Sequence, residues 1–588
     1  MKLRRVKGVL MDRSRIIDTL EEIALLKELL GENQFKIRAY HAAARAIAAS
    51  DEDIGALAAT GELTKLKGVG QHIAENIAAL IDYGSSPELD ELRSKVPPGV
   101  VEMIRVPGLG PKKAQVLWRE LDIKSVGELE YACGENRLAE LKGFGKKTQE
   151  NILEGIALIK KFAARFLLPD AMATAHAMLA SLGETPEVER AAIAGSLRRG
   201  KETIKDVDIV ASSGEPEKAL ERFVSAPGVA KVLARGATKA AVITQNGIHV
   251  DLRVVSDHEF PFTLHHFTGS REHNAALRAR AGAMGMKMNE YGLFRGEERI
   301  ACVDEREIFQ ALGLGYIPPE RRENMGEIEQ AEGGAEQNLV ERKDLRGIFH
   351  LHTTYSDGLE TLEAMAQACM ERGWEYMGVS DHSRAAHYAG GLSIDDLKRQ
   401  GDEIDRLNEK LTGFHIFKGV ESDILEDGSL DYPEDVLARL DFVIASVHMR
   451  YKKEDEARMT KRLTAAIMSP YTTMLGHPTG RLLLARDSYP LDMAAVIEAC
   501  AEHDVIIELN ANPQRLDIDW REIGKAQKSG VMISINPDAH RIPGLDHVTY
   551  GVMAARKGGV APGMVFNTMG TAQVGADLHA RRKRRLGK

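Results

Sequence analysis

Gly195-Ser196-Leu197-Arg198-Arg199-Gly200-Lys201-Glu202-Thr203-Ile204-Lys205-Asp206-Val207-Asp208-Ile209-Val210 is the stretch on which the reading of this chain turns. Its end alternates carboxylate and aliphatic residues, the period of a half-buried strand. Asp206 and Asp208 then stand on one face, with Val207 and Ile209 buried behind. Asp251, in His249-Val250-Asp251-Leu252-Arg253, lies on another predicted strand, where it can complete a cluster. Three carboxylates together repel one another unless cations bind, and hard Mg²⁺ with oxygen ligands is the natural partner. Two such ions clamp the attacking and leaving oxygens of an in-line phosphoryl transfer. Gly195 and Ser196 supply amides and a hydroxyl, and Arg199 a guanidinium, for a triphosphate. An Asp-x-Asp alone often marks only a solvated strand end; the whole phrase is far more specific.

Around this phrase the chain runs to 588 residues, about four domains on the usual prior. That length excludes a single small binding module. Hydrophobic residues at 44% and charged residues at 28% are ordinary for a globular protein. No apolar run approaches the roughly 20 residues needed to span a bilayer, so no membrane partner is expected. The opening residues carry Lys2, Arg4, Arg5 and Lys7 without an apolar core, unlike a signal peptide, and Met11 is an alternative start. The four cysteines, Cys133, Cys302, Cys369 and Cys500, are far apart. They argue against a disulfide framework or a cysteine zinc site and for a reducing cytoplasm. Net charge is −9, so any nucleic-acid binding must come from local patches.

Upstream, residues 12–58 have helical apolar spacing. A phrase then recurs three times: Leu66-Lys67-Gly68-Val69-Gly70, Val106-Pro107-Gly108-Leu109-Gly110 and Leu141-Lys142-Gly143-Phe144-Gly145, each followed by a polar helix start. Gly-x-Gly permits a tight turn, and the helix-start amides beyond it favour an anion. Lys67, Lys112, Lys113, Lys142, Lys146 and Lys147 lie nearby. One such turn is weak; three flanked by helices resemble helix-hairpin-helix motifs, which hold DNA phosphates without reading bases. The competing reading is three structural αα-turns with solvated lysines.

Downstream, residues 326–342 are acidic with few aliphatics, as suits a linker. From 347 onward short apolar runs alternate with helical patterns, which predicts a βα-repeat barrel. Eleven of the 19 histidines lie from His350 onward. Phe349-His350-Leu351-His352 reads as a strand with two histidines on one face. Asp357, His382, Glu421, His448, His477, Asp538 and His540 follow, nearly all at predicted strand ends. In a βα barrel those ends converge on one face. Nine N and O ligands, six of them His, could fill two or three metal sites, and imidazole with carboxylate suits Zn²⁺, Mn²⁺ or Fe²⁺ over Ca²⁺. His387, His415, His503 and His547 are left as ordinary residues, and Arg384, Arg450 and Lys418 as surface cations more than phosphate contacts.

Two resemblances organise these observations. The phrase at 195–210 resembles the nucleotidyltransferase signature of family X DNA polymerases, the polymerase beta group, over residues 12 to about 325. It implies that Asp206 and Asp208 bridge both metals, that Asp251 joins them at the metal activating the primer 3′-hydroxyl, and that Ser196 and Arg199 hold the triphosphate. Phe267-Thr268-Gly269-Ser270-Arg271-Glu272-His273-Asn274-Ala275-Ala276-Leu277-Arg278 resembles the family's nucleotide-binding thumb segment. There Phe267 and Gly269 would pack at the incoming sugar, Asn274 would contact the base edge and Arg278 the minor groove. The Tyr usual before that Phe is His266, read either as an altered sugar gate or as a spacer. Asn76 stands where lyase-competent relatives carry a Schiff-base lysine, and His72 replaces a basic residue. An amide cannot form the imine. The N-terminal domain is then a DNA-end holder through Lys36, Arg38 and Tyr40. The ordered set of nine ligands resembles the PHP (polymerase and histidinol phosphatase) phosphoesterase domain over about 343–575.

The expected fold is multidomain, α+β and α/β. It comprises a helical N-terminal DNA-binding domain at 1–90, helix-hairpin-helix fingers at 91–164, a nucleotidyltransferase palm with a mixed β-sheet at 165–262 and a thumb at 263–325. A linker at 326–342, a βα-barrel-like PHP domain at 343–575 and a basic tail at 576–588 follow. The expected function is gap filling in base excision or end repair, with Mg²⁺ at the polymerase site. Mn²⁺ or Zn²⁺ at the PHP site would serve 3′–5′ exonuclease, 3′-end processing or abasic-site endonuclease chemistry. Expected partners are gapped or nicked DNA and dNTP, for a cytoplasmic monomer. The competing readings are a small-molecule phosphatase tethered to DNA and a non-catalytic DNA-binding scaffold.

Overall fold

The computed structural model describes residues 13–587 apart from 51, 135–137, 139–140, 142, 163–164, 450–453 and 485–486. Lys142 and Arg450 therefore lie outside the described residues. The chain divides into two compact units, Met1–Ala163 and Ala164–Lys588.

The first unit is helical. Ile16, Leu20, Ile23 and Ala24 form the buried stripe of the helix Arg13–Leu30, at the spacing that puts side chains on one helical face. Leu20, Ile47 and Ile77 share one core with Leu117, Phe144 and Ile152. The division expected at residue 90 is no break in packing, because Leu89 and Leu92 on the helix Pro87–Lys95 are buried in that same core.

In the second unit the palm is a five-stranded sheet of β1 (Val188–Ile193), β2 (Asp206–Ser213), β3 (Val229–Arg235), β4 (Lys239–Thr244) and β5 (His249–Val255), in the order β1-β2-β5-β4-β3. Only β2 and β5 run parallel. Helices Leu168–Gly183 and Pro216–Val224 cover one face, where Leu182 and Phe223 join Val207, Ile209 and Val250 in a core. That leaves the aspartates on the other face.

The thumb packs helices Phe260–Thr268, Arg271–Ala283 and Glu305–Ala311 around a three-stranded meander. The acidic stretch expected as a linker is largely built into it. Glu327 is buried and its Oε1 lies 2.7 Å from His273 Nδ1, and Ile328 and Ala331 enter the thumb core. Val340 is already in the barrel core. Low aliphatic content misled here, because a buried hydrogen bond between Glu327 and His273 fixes the segment.

The barrel contains β6 (Gly347–Leu351), β7 (Tyr376–Val379), β8 (His415–Lys418), β9 (Glu421–Asp423), β10 (Ile444–Ser446), β11 (Met474–Leu475), β12 (Ile506–Asn510) and β13 (Ile533–Asn536). All ladders are parallel, in sheets β6-β7-β8 and β9-β10-β11-β12-β13. Single bridges, Leu351 to Ala539 and His382 to Glu421, join the two sheets. Phe349, Phe417, Phe442 and Phe566 pack together, with Phe349 edge-on to Phe442 at 5.0 Å.

The basic tail is a correction. Thr571–Arg585 is a helix whose Val574 and Leu578 join the same aromatic cluster. Arg581 donates to the Asp504 carbonyl at 2.9 Å, Arg582 to Asp441 at 3.1 Å and Arg585 to Ser469 at 2.6 Å. These cations satisfy carbonyls of the barrel, so the segment is a packed helix and not a tail.

Candidate functional site

β2 and β5 pair in register, so Asp206 lies beside His249 and Asp208 beside Asp251. Burial, then the charges of Asp206 and Asp251, push the Asp208 carboxyl up to about 7, against a pull from Arg199. Burial and then Asp206 raise Asp251 as well. Uncompensated carboxylates of this kind fit a divalent cation with oxygen ligands. The oxygens of the trio do not draw together into one tight donor set; among the described residues every such set lies in the barrel. A cleft of 380 Å³ beside them is lined by Asp208, Lys239, Asp251, Arg253 and Phe267.

The turn at Gly195 approaches this cluster closely. Gly195 has φ +64°, and a Cβ there would stand 2.0 Å from Asp208 Oδ2. Glycine alone meets both conditions. Gly195 opens the four-residue helix Gly195–Arg198, on which Ser196 is half-buried. Arg199 follows; its Nε donates to Glu323 at 3.0 Å and its guanidinium to the Thr268 carbonyl. Gly269, φ +70°, lies against that guanidinium: a Cβ on it would stand 3.0 Å from Arg199 Nη1. Arg253 stacks over the Phe267 ring at 4.7 Å. Asn274 donates to the His266 carbonyl at 2.7 Å, and Arg278, one turn further along the helix, is exposed. The half-buried His266 ring packs edge-on to Phe267 at 5.3 Å, and burial lowers its pKa, so it is neutral at pH 7.

In the first unit the three hairpins are alike. The leading glycines are left-handed, φ +104° at Gly68, +84° at Gly108 and +91° at Gly143. Val69, Leu109 and Phe144 each donate back three residues and bury their side chains. Gly70 and Gly110 N-cap the helices Gln71–Tyr83 and Pro111–Leu121, and Gly145 precedes Lys146–Phe162. A Cβ at Gly70, Gly108, Gly110, Gly143 or Gly145 would meet nothing within 4 Å, so the approach to each turn is open.

Beside the helix after the first hairpin sits a carboxylate, Glu88, ion-paired with the buried Lys27. Asn76 is buried and donates to Glu88 at 2.7 Å and to Tyr40 Oη at 3.2 Å. Lys27 pairs with Glu88 at 2.6 Å, and His72 lies 2.9 Å from it. Tyr40, expected to hold a DNA end, is 2% exposed and bonded to Glu88, so it is a structural residue. Lys36 and Arg38 are exposed.

All nine expected barrel ligands come together. Glu421 is the hub: one or other of its oxygens lies 3.0 Å from His382, 2.9 Å from His477, 3.2 Å from His448, 3.3 Å from His350 and 3.7 Å from His352. Asp538 lies 3.3 Å from His352 and 3.4 Å from His350; Asp357 lies 3.6 Å from His382 and 3.4 Å from His540. These form four overlapping donor sets, one around Asp357, one around Asp538 and two around Glu421. His350 Nε2, both His352 nitrogens, His477 Nδ1 and Glu421 Oε2 are buried without a hydrogen-bond partner. Buried polar atoms left so are costly, and a metal cluster is the group that fits them. Burial favours a neutral Glu421, yet His448 and His350 hold it well below the usual carboxylate range. His350 and His352 do not meet by regular pleating: the register of β6 shifts between Ile348 and Leu351, and His350 has φ +58°.

Sequence reasoning missed the residues that aim the ligands. Glu508 on β12 lies 2.5 Å from His350 Nδ1 and accepts from the His477 N–H at 2.7 Å. Its signal was a carboxylate inside the aliphatic run Val505-Ile506-Ile507-Glu508-Leu509. Asp381 accepts from Thr353 N at 2.8 Å and Ser356 Oγ at 2.5 Å, fastening the loop that carries Asp357. Arg515 Nε lies 3.5 Å from Asp538, a cation at the cluster that sequence reasoning passed over. Arg384 and Lys418 are tied to Asp431 at 3.1 Å and Asp405 at 2.6 Å.

A carboxylate-lined cleft for phosphoryl transfer and a histidine-lined barrel, carried on one chain, define an enzyme with two metal-dependent phosphate sites. Comparison with known families narrows this. Residues 263–323 match the DNA polymerase beta thumb, 11–86 a helix-hairpin-helix domain, 100–157 a SAM-like helix-hairpin-helix tandem and 349–512 the PHP domain. The chain is 39% identical over 572 residues to the DNA polymerase/3′-5′ exonuclease PolX of Bacillus subtilis, covering 97% of this chain and 99% of that one. It is also 32% identical over 217 residues to a probable phosphatase of Caldanaerobacter subterraneus, covering 34% of this chain and 78% of the other. A probable phosphatase of Thermoanaerobacter sp. is 31% identical over 235 residues, 37% of this chain and 89% of the other. This chain belongs to the family X DNA polymerases that carry a C-terminal PHP domain. Among the described residues no helix is long and apolar enough to cross a membrane.

Proposed function

We propose that this chain is a DNA-directed DNA polymerase that fills short gaps in repair and trims 3′ ends with its barrel. The observation that carries the first activity is Asp208 held in register with Asp251, both carboxyls raised, beside the Gly195 turn. Asp206, Asp208 and Asp251 would hold Mg²⁺, which supplies charge neutralisation and activation of the primer 3′-hydroxyl. The residues themselves do the positioning. Gly195, Ser196 and Arg199 receive the triphosphate, Phe267 and Gly269 the sugar, and Asn274 and Arg278 the nascent pair. The hairpin glycines Gly68, Gly70, Gly108, Gly110, Gly143 and Gly145 present amides to DNA phosphates. The protein acts as a monomer on gapped or nicked DNA and dNTP.

For the barrel, His350, His352, Asp357, His382, Glu421, His448, His477, Asp538 and His540 would hold two or three ions of Mn²⁺ or Zn²⁺ type. Such ions polarise a phosphate and lower the pKa of a bound water. The barrel's likeness to probable phosphatases favours removal of a 3′-terminal phosphate as a companion activity to 3′–5′ degradation. One gapped duplex, assayed for primer extension and primer degradation with Mg²⁺ and then Mn²⁺, tests the reading. Asp208→Ala should abolish extension alone, and His350→Ala with His352→Ala should abolish degradation alone. Extension by Asp208→Ala, or degradation by the double variant, would refute the assignment of that site.

A further inference from the structure

The face of the palm behind the Gly195–Arg199 turn is closed by the barrel. Lys557, near the end of the barrel helix Val548–Gly558, is 1% exposed. Its Nζ donates to the Arg199 carbonyl at 2.9 Å, the Glu320 carbonyl at 3.3 Å and Glu323 Oε1 at 2.6 Å. Glu323 in turn accepts from Arg199 Nε at 3.0 Å, and its other oxygen lies 3.0 Å from Lys201 Nζ. Trp520 of the barrel presents its ring to Lys557 at 4.6 Å and to Lys201 at 5.2 Å. One carboxylate thus faces three cations. The excess positive charge, in a poorly solvated place, suits an incoming polyanion.

We propose that Lys557 is a positioning residue of the polymerase site: the barrel reaches across to fix the backbone and the carboxylate that aim Arg199 at the nucleotide triphosphate. This rests on the reading of Arg199 as a triphosphate contact. Lys557 holds Arg199 at two points, directly through its carbonyl and indirectly through Glu323. A guanidinium fork keeps its direction only when its own acceptors are fixed. Freed from Glu323, Arg199 would spend binding energy on ordering itself, a cost felt in nucleotide affinity before the chemical step. The palm and thumb are then incomplete without the barrel, although the barrel's metal ligands take no part.

The test is steady-state gap filling by full-length Lys557→Met against the parent, with primer degradation and thermal unfolding measured on the same preparations. The expected result is a dNTP KM raised about tenfold, kcat within about threefold and degradation unchanged. Since Lys557→Met removes one of the three cations that hold the Glu323 charge, Glu323→Gln with Lys557→Met is the second variant. It leaves no unpaired carboxylate yet still lacks the anchor, so its dNTP KM should stay raised. A parental KM in a folded Lys557→Met protein, or recovery of the parental KM in the double variant, would overturn the proposal. Absence of gap filling in the parent itself would instead refute the polymerase reading on which the proposal rests.

Discussion

Gly195 and Asp208 share a space that admits no β-carbon: one built on Gly195 would lie 2.0 Å from the Asp208 Oδ2 oxygen, on a backbone with φ +64°. The glycine of the turn proposed to receive the triphosphate is therefore fitted to a carboxylate of the proposed metal site. Gly195→Ala must push Asp208 aside or open the turn. We expect extension to fall by about 10²-fold or more, since a misplacement of about 1 Å at a reacting centre carries such a cost. Degradation by the barrel should persist. Parental extension by Gly195→Ala would show that the turn relaxes without moving Asp208.

Glu508 carries the corresponding burden in the barrel. Its two oxygens take His350 Nδ1 and the His477 backbone N–H, so one carboxylate aims the His350 ring and fixes the main chain that carries His477. Loss of such an orienting partner weakens metal binding by about 10- to 100-fold. Glu508→Gln should lower metal content after dialysis and reduce 3′-end degradation, and added Mn²⁺ should restore part of it. Extension should be unaffected. Elemental analysis alongside the nuclease assay decides the matter, and full metal content in the variant would exclude the role.

Asn76 predicts an absent chemistry. Its amide is buried and bonded to Glu88 and Tyr40, and Lys27 is neutralised by the same Glu88. Burial, opposed by Glu88 and Glu32, leaves the Lys27 pKa raised, so its amine is held protonated and is no nucleophile. Borohydride reduction with a 5′-deoxyribose-phosphate end should trap little protein–DNA adduct. A strong adduct mapped to Lys65 or Lys67, both exposed, would show that the chemistry had moved to the surface.

How much of this was legible depended on whether a residue works through local pattern or through distant packing. Asp206 and Asp208 were readable because a strand's period of two fixes their face. The barrel ligands were readable because parallel strands gather their ends, whatever the loops do. His350 and His352 do come together, but not by the pleating expected of them, since His350 has a positive φ and the register shifts beside it. Tyr40 was misplaced because nothing nearby in sequence reveals Glu88, 48 residues on. The segment 326–342 and the basic C-terminal helix were misread for the same cause: composition reports charge but not the buried partner that pairs with it. Lys557 lies 358 residues from Arg199 and could not be linked to it from the sequence.

That pairing gives the last prediction, on stability against pH. Burial raises the Glu323 pKa, but Lys557, Arg199 and Lys201 outweigh it and bring the carboxyl from 4.5 down to about 2. The folded value is depressed, so the contribution is fully present above about 4.5 and is lost as pH falls toward about 2. Its size is about 3 kcal/mol. Lys557 is brought down to about 8, by burial first, with Glu323 opposing. Glu323→Gln should therefore destabilise the folded protein at pH 7 by about 3–5 kcal/mol, because it leaves a buried lysine unpaired. Parent and variant should converge as pH falls below about 4.5, since protonated Glu323 resembles the amide. Denaturant unfolding of both proteins between pH 7 and 3 measures the gap. A gap that stays constant across that range would mean that Glu323 is not ionised against Lys557 in the folded protein.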